Sequence, residues 1–113
     1  MNLKTILKMA HEVAISKGWW DPPKSFGEQI ALFHSELSEA LEEFRNGHPI
    51  REIYYSFDSE GSKKPEGVSV ELADLIIRIA DTCAYYEIDL ERALREKMRY
   101  NTKRPHRHGG KIL

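Results

Sequence analysis

Two pairs of acidic residues share one spacing. Glu36 and Glu39 are three residues apart, and so are Glu71 and Asp74. Successive residues of an α-helix are rotated by about 100°, so positions three or four apart share a face. Glu36, Glu39 and Glu43 then line one flank of one helix, and Glu71 and Asp74 line one flank of another. Both sets border an apolar stripe, so antiparallel packing of the two stripes would let the acids converge. Converging carboxylates repel and do not ionise together without cost. A divalent cation removes that cost. Hard oxygen ligands suit Mg2+, with Mn2+ as a substitute, and Mg2+ commonly keeps waters and shares a substrate phosphate. An ion so held polarises a phosphoryl oxygen and activates water. A single acid pair is usually a solvated face, and Arg78, four residues beyond Asp74, is a ready local partner. Two pairs on successive helices, both beside the core stripe, point instead to phosphate chemistry.

A basic set complements the acids. On the last helix the apolar stripe of Leu90, Ala93 and Leu94 continues into Lys97, Asn101 and Arg104. Buried charges need partners, so a stripe that turns polar either lines a polar cavity or emerges into solvent. In a cavity, Lys97 and Arg104 would hold phosphates, Arg through its fork and Lys as a point charge. Asn101 would reach a sugar or base. Trp19 and Trp20 are aromatic residues that could contact a base, and Trp20 is expected to touch substrate. Beyond them, His106 to Lys111 carries basic residues and two glycines, a pattern open to phosphate approach or to a frayed tail.

Helices must position these groups. The first is expected from about Asn2 to Lys17, with Leu3, Ile6, Leu7, Ala10 and Val13 at helical spacing and Gly18 as a stop. Trp19 to Pro23 forms a connector, because two prolines exclude a helix. Ser25 and Glu28 form a capping box for the second helix, which Gly47 and Pro49 end. Residues 48–68 break the periodicity and read as a loop insertion. Tyr54 and Tyr55 could open a strand, but no partner is evident. The third helix spans about Ser69 to Tyr86. The fourth follows Asp89, an N-cap, and ends at Pro105, leaving a basic tail at 106–113. The expected class is all-α, an antiparallel helical bundle whose four-helix core is completed by oligomerisation.

Composition narrows the setting. The 113 residues suit one domain, 1–113, and a modest core. The formal net charge of −1 gives no general attraction to nucleic acid or to a membrane surface. The single cysteine, Cys83, excludes a disulfide framework within the chain, suits a reducing cytoplasm and reads as a small buried hydrophobe. No signal-peptide core and no bilayer-spanning stretch are present, so the expected location is cytoplasmic.

The ordered set resembles the MazG-like branch of the all-alpha nucleotide pyrophosphohydrolases. That superfamily carries Glu-Glu-x-x-Glu on one helix and Glu-x-x-Asp on the next. Here the sequence reads Ser35-Glu36-Leu37-Ser38-Glu39, then Glu71-Leu72-Ala73-Asp74 within Pro65 to Arg78. Lys97 to Pro105, followed by His108-Gly109-Gly110-Lys111, also looks like that branch. The likeness covers residues 25–111. It implies Mg2+-dependent hydrolysis of nucleoside triphosphates, ribo- or deoxyribo-, to monophosphate and pyrophosphate in a homodimer or homotetramer. It implies that Glu36, Glu39, Glu71 and Asp74 are catalytic metal ligands, and that Lys97, Asn101 and Arg104 face substrate. Ser35 departs from the motif, removing one candidate ligand or base, and the Glu39–Glu71 connection is long for the compact members. A phosphoribosyl-ATP pyrophosphatase and a non-enzymatic module binding a nucleotide or partner stay open. A di-iron bundle would need Glu-x-x-His, which this sequence lacks.

Overall fold

The computed structural model describes residues 1–104, so the Pro105 stop and the 106–113 tail lie outside the described residues. The four expected helices are present: α1 (Leu3–Ser16), α2 (Phe26–Arg45), α3 (Val68–Tyr85) and α4 (Leu90–Thr102). Three of their starts follow the capping chemistry. The Asn2 side chain accepts from the Thr5 N–H at 2.8 Å, and Ser25 Oγ accepts from the Glu28 N–H at 3.2 Å. Asp89 accepts from the Arg92 N–H at 3.0 Å. Each side chain satisfies an N–H left free in a first helical turn.

The chain is predominantly rather than purely α-helical. Within 48–68 lie β1 (Tyr54–Phe57) and β2 (Lys63–Glu66), paired antiparallel with Tyr54 opposite Glu66 and Phe57 opposite Lys63. The partner of the tyrosine run is therefore a segment of two lysines, a proline and a glutamate. The turn between them is built on Asp58, whose Oδ1 accepts from the N–H groups of Glu60 and Ser62, both at 2.9 Å. A two-stranded hairpin alone is marginal in water. Here Tyr54 fastens it to α2 by donating to the Glu43 carboxylate at 2.8 Å.

Gly67 joins the hairpin to α3. Its φ is +129°, and a Cβ there would stand 2.5 Å from the Glu52 carbonyl oxygen. Only glycine fits this close approach. The result is that a single residue separates β2 from α3, which fixes where Glu71 sits.

α3 is the central element, with α1 and α2 both packed on it. The side chains at the closest approach are small: Ala14 of α1, Ala40 of α2, and Ala80 and Cys83 of α3 are buried. Cys83 is thus the small buried residue expected, and burial raises its thiol pKa. By contrast, α4 has no buried residue. It is held by its own i, i+4 ion pairs, Arg92–Glu96 at 2.9 Å and Arg95–Glu91 at 3.2 Å. Large apolar side chains stay exposed on α2 (Leu37, Leu41, Phe44), α3 (Leu72, Ile76) and α4 (Met98). No helix among the described residues is long and apolar enough to cross a membrane.

Candidate metal centre

A ladder of side-chain contacts shows how α2 and α3 are aligned. Tyr86 lies against Lys24, Thr82 against Gln29, and Arg78 against Glu36. Rising numbers on α2 meet falling numbers on α3, so the two helices run antiparallel, as the acid convergence requires. The alignment brings Glu36, Glu71 and Asp74 together, each offering a carboxylate oxygen within 4.8 Å of the others. Glu39 joins them, its carboxylate lying beside that of Glu71. Three of the four expected acids thus meet at one place, and the fourth, Glu39, stands beside Glu71.

The electrostatics are those of acids held too close. Glu71 is pushed up to about 7, first by burial and then by the neighbouring carboxylates of Glu39, Asp74 and Glu36. Asp74 is also raised, by burial and then by Glu36, with Arg78 and Lys64 pulling the other way. Lys64, on the hairpin, is a cation near the site that the loop reading of 48–68 gave no reason to place there. Glu36 is only 5 % exposed. Its Oε1 accepts from Arg78 Nε, while its Oε2 and Glu71 Oε2 are buried without a hydrogen-bond partner among the described residues. A buried polar atom without a partner costs about 1–3 kcal/mol, more when charged. Two such oxygens in one acidic cluster fit a hard divalent ion better than they fit an empty ion-pair network.

Arg78 has a different partner from the local one its spacing suggested. Its ion pair crosses to Glu36 on the facing helix, and its guanidinium also sits 5.3 Å from the centre of the Trp19 ring. A second polar knot escaped the sequence reading. Asp81, buried on α3, accepts from Trp20 Nε1 at 2.9 Å and lies 2.8 Å from His11 Nδ1 of α1. Trp20 also stacks on Tyr85 with ring centres 3.8 Å apart. Its polar edge and one face are therefore engaged by the protein itself, while Trp19 remains half exposed. The only sequence sign of this knot was an acid, Asp81, inside a run of small apolar residues.

Lys97, Asn101 and Arg104 are not brought to the acids within the single chain. All three are exposed on or just after α4. Lys97 and Arg104 instead flank Tyr100, at 5.0 Å and 5.9 Å from its ring centre. Comparison with family models, curated proteins and solved structures finds no match to this chain.

Proposed function

We propose that this chain is a Mg2+-dependent nucleoside triphosphate pyrophosphohydrolase of the MazG-like kind. The observation that carries the reading is the meeting of Glu36, Glu71 and Asp74 across two antiparallel helices, with two buried carboxylate oxygens left unpartnered. Glu36, Glu71 and Asp74 would hold the ion, with Glu39 completing the set. When bound, Mg2+ (or Mn2+) supplies charge to the triphosphate oxygens and lowers the pKa of a coordinated water. One of these acids, with Glu39 the exposed one beside the cluster, would also orient the attacking water. Arg78 holds Glu36 in place and fixes the α2–α3 alignment.

The exposed apolar faces support assembly as a homodimer or homotetramer with a four-helix core. The uncovered stripes of α2, α3 and α4, with Leu37, Leu41, Phe44, Leu72, Ile76 and Met98 exposed, are the kind of apolar surface that a partner copy covers. Lys97, Asn101 and Arg104 would hold substrate only where the assembly delivers an α4 to an acidic cluster.

The test is product analysis. Ribo- and deoxyribonucleoside triphosphates and phosphoribosyl-ATP are incubated with the protein, in Mg2+ and in chelator. Monophosphate and pyrophosphate formed only with Mg2+ is the expected result. Diphosphate with orthophosphate, or no turnover of any of these, overturns the reading.

A further inference from the structure

The hairpin has two unlike faces. Side chains alternate along a strand, and residues directly opposite one another on paired strands share a face. Tyr54 and Ser56 are half-buried, whereas Tyr55 and Phe57 are exposed. Tyr54 faces α2, since its hydroxyl reaches Glu43. Glu66, opposite Tyr54, and Lys64, opposite Ser56, therefore lie on the same inward face. Lys63, opposite Phe57, lies on the outward face and stands 4.3 Å from the centre of the Tyr55 ring. Two adjacent lysines of one strand are thus sent in opposite directions, one towards the body of the protein and one towards solvent.

The open end of the hairpin is fastened to both helices of the acidic wall. Glu43, which Tyr54 engages, is one helical turn past Glu39 on the flank of α2 that carries Glu36. On the α3 side, Gly67 closely approaches the Glu52 carbonyl, and its own carbonyl accepts the Glu71 N–H at 3.0 Å. Lys64 is the next inward position from Glu66, a step of about 7 Å along the strand. From there its charge reaches the wall: Asp74, raised by burial and then by Glu36, is drawn back down by Arg78 and Lys64.

These two cations differ in what they have left to give. Arg78 is engaged by Glu36 through Nε and lies over the Trp19 ring. Lys64 makes no hydrogen bond among the described residues; its ion-pair partner Glu66 stands 3.8 Å away, and the lysine side chain is 60 % exposed. Such a pair holds a lysine weakly, so its three N–H donors are open to a ligand. A lone divalent ion gains nothing from this lysine, which repels it. A ligand that brings both oxygens for the ion and surplus negative charge gains from the acids and the lysine together.

We propose that Lys64 is a phosphate contact of this site, donating from the hairpin to oxygens of a polyphosphate chain that the ion does not hold. Unlike Lys97 and Arg104 of α4, it is a cation that the chain brings to its own acidic wall. The role rests on the metal-dependent phosphate chemistry proposed for the wall, and it gives ion binding and substrate binding opposite signs.

Calorimetry on the full chain tests it, with Mg2+ alone and then, at saturating Mg2+, with inorganic tripolyphosphate, a probe without base or sugar. Lys64→Met is expected to bind Mg2+ about two- to five-fold tighter at low salt, because a like charge has gone. The same variant is expected to bind tripolyphosphate about ten-fold more weakly, because a charge-assisted donor has gone. Lys64→Arg keeps both affinities near wild type, and Lys63→Met, on the outward face, moves neither. With nucleoside triphosphates, KM should rise about ten-fold in Lys64→Met while kcat changes far less. Wild-type tripolyphosphate affinity in Lys64→Met, an equal loss in Lys63→Met, weaker binding of both probes in Lys64→Met, or no binding of tripolyphosphate by the wild type overturns the proposal. Opposite shifts for the two probes without hydrolysis of any triphosphate would sink the hydrolase reading and leave the Lys64 contact standing. Hydrolysis with unchanged KM and unchanged tripolyphosphate binding in Lys64→Met would do the reverse.

Discussion

The acidic wall of α2 and α3 and the basic face of α4 have the same kind of origin in the sequence. Each is a row of charges beside an apolar stripe. In the folded chain they fare differently. Glu36 is buried and ion-paired to Arg78, and Glu71 is pushed towards neutrality by burial and then by its acidic neighbours. Lys97 and Arg104 lie in the open around Tyr100 on a helix that buries nothing. Periodicity reports that a helix has a face to cover; it does not report whether the cover belongs to the same chain. The acids found theirs within one copy, and α4 did not.

The comparison can be broken hardest at Glu36. Glu36→Gln or Asp74→Asn should lower Mg2+-dependent turnover by about 100-fold, by loss of an ion ligand, with the helical circular dichroism unchanged. Full activity in both variants would reduce the acidic wall to an ordinary ion-pair network. On the α4 side, Met98→Glu, or Leu41→Glu on α2, places a charge on an exposed apolar position. If those faces meet in an assembly, light scattering will show the mass falling to that of one chain, and turnover will fall although every acid is intact. An unchanged mass would make α4 a free helix.

Gly67 offers a smaller but cleaner contrast. Gly67→Ala meets both a positive φ and the Glu52 carbonyl. It should cost about 1–3 kcal/mol, read as a drop in Tm of several degrees, because the start of α3 must move. An equally placed change in α4, such as Asp89→Ala at its cap, should cost only about 1 kcal/mol.

The smallest effect is a pH dependence. The pKa of Glu71 is raised to about 7 in the fold, above its ordinary value, so folding favours the protonated form. In chelator its contribution is complete below its unfolded pKa and is lost as pH rises through about 7. The Tm of the wild type should therefore fall relative to Glu71→Gln between pH 5 and pH 8. An ion binds the ionised carboxylate, so the Tm gain from Mg2+ should be larger at pH 8 than at pH 5.5. Equal gains at both pH values would remove Glu71 from the ligand set.

Much of the scaffold could be read in advance because its signals are local. Asn2, Ser25 and Asp89 each cap the helix that follows, and the i, i+3 acids converge as their spacing allows. The hairpin was hidden because Lys63 to Glu66 has no strand-forming composition; it is held by its register with Tyr54–Phe57 and by the Asp58 turn. The spacing offers Arg78 only Asp74 as a local partner, whereas the facing helix supplies a more buried one in Glu36. The Asp81 knot with His11 and Trp20 joins residues 61 and 70 positions apart, a separation that no motif spans.

The Glu36–Arg78 pair has one more consequence. Without any metal, Arg78 already balances one acid of the wall, a proton can sit on Glu71, and Lys64 eases Asp74. The protein's own groups thus offset part of the wall's repulsion. Arg78 occupies Glu36 Oε1 and leaves Oε2 as the open oxygen of that carboxylate, so a cation drawn to the wall would not have to displace the guanidinium.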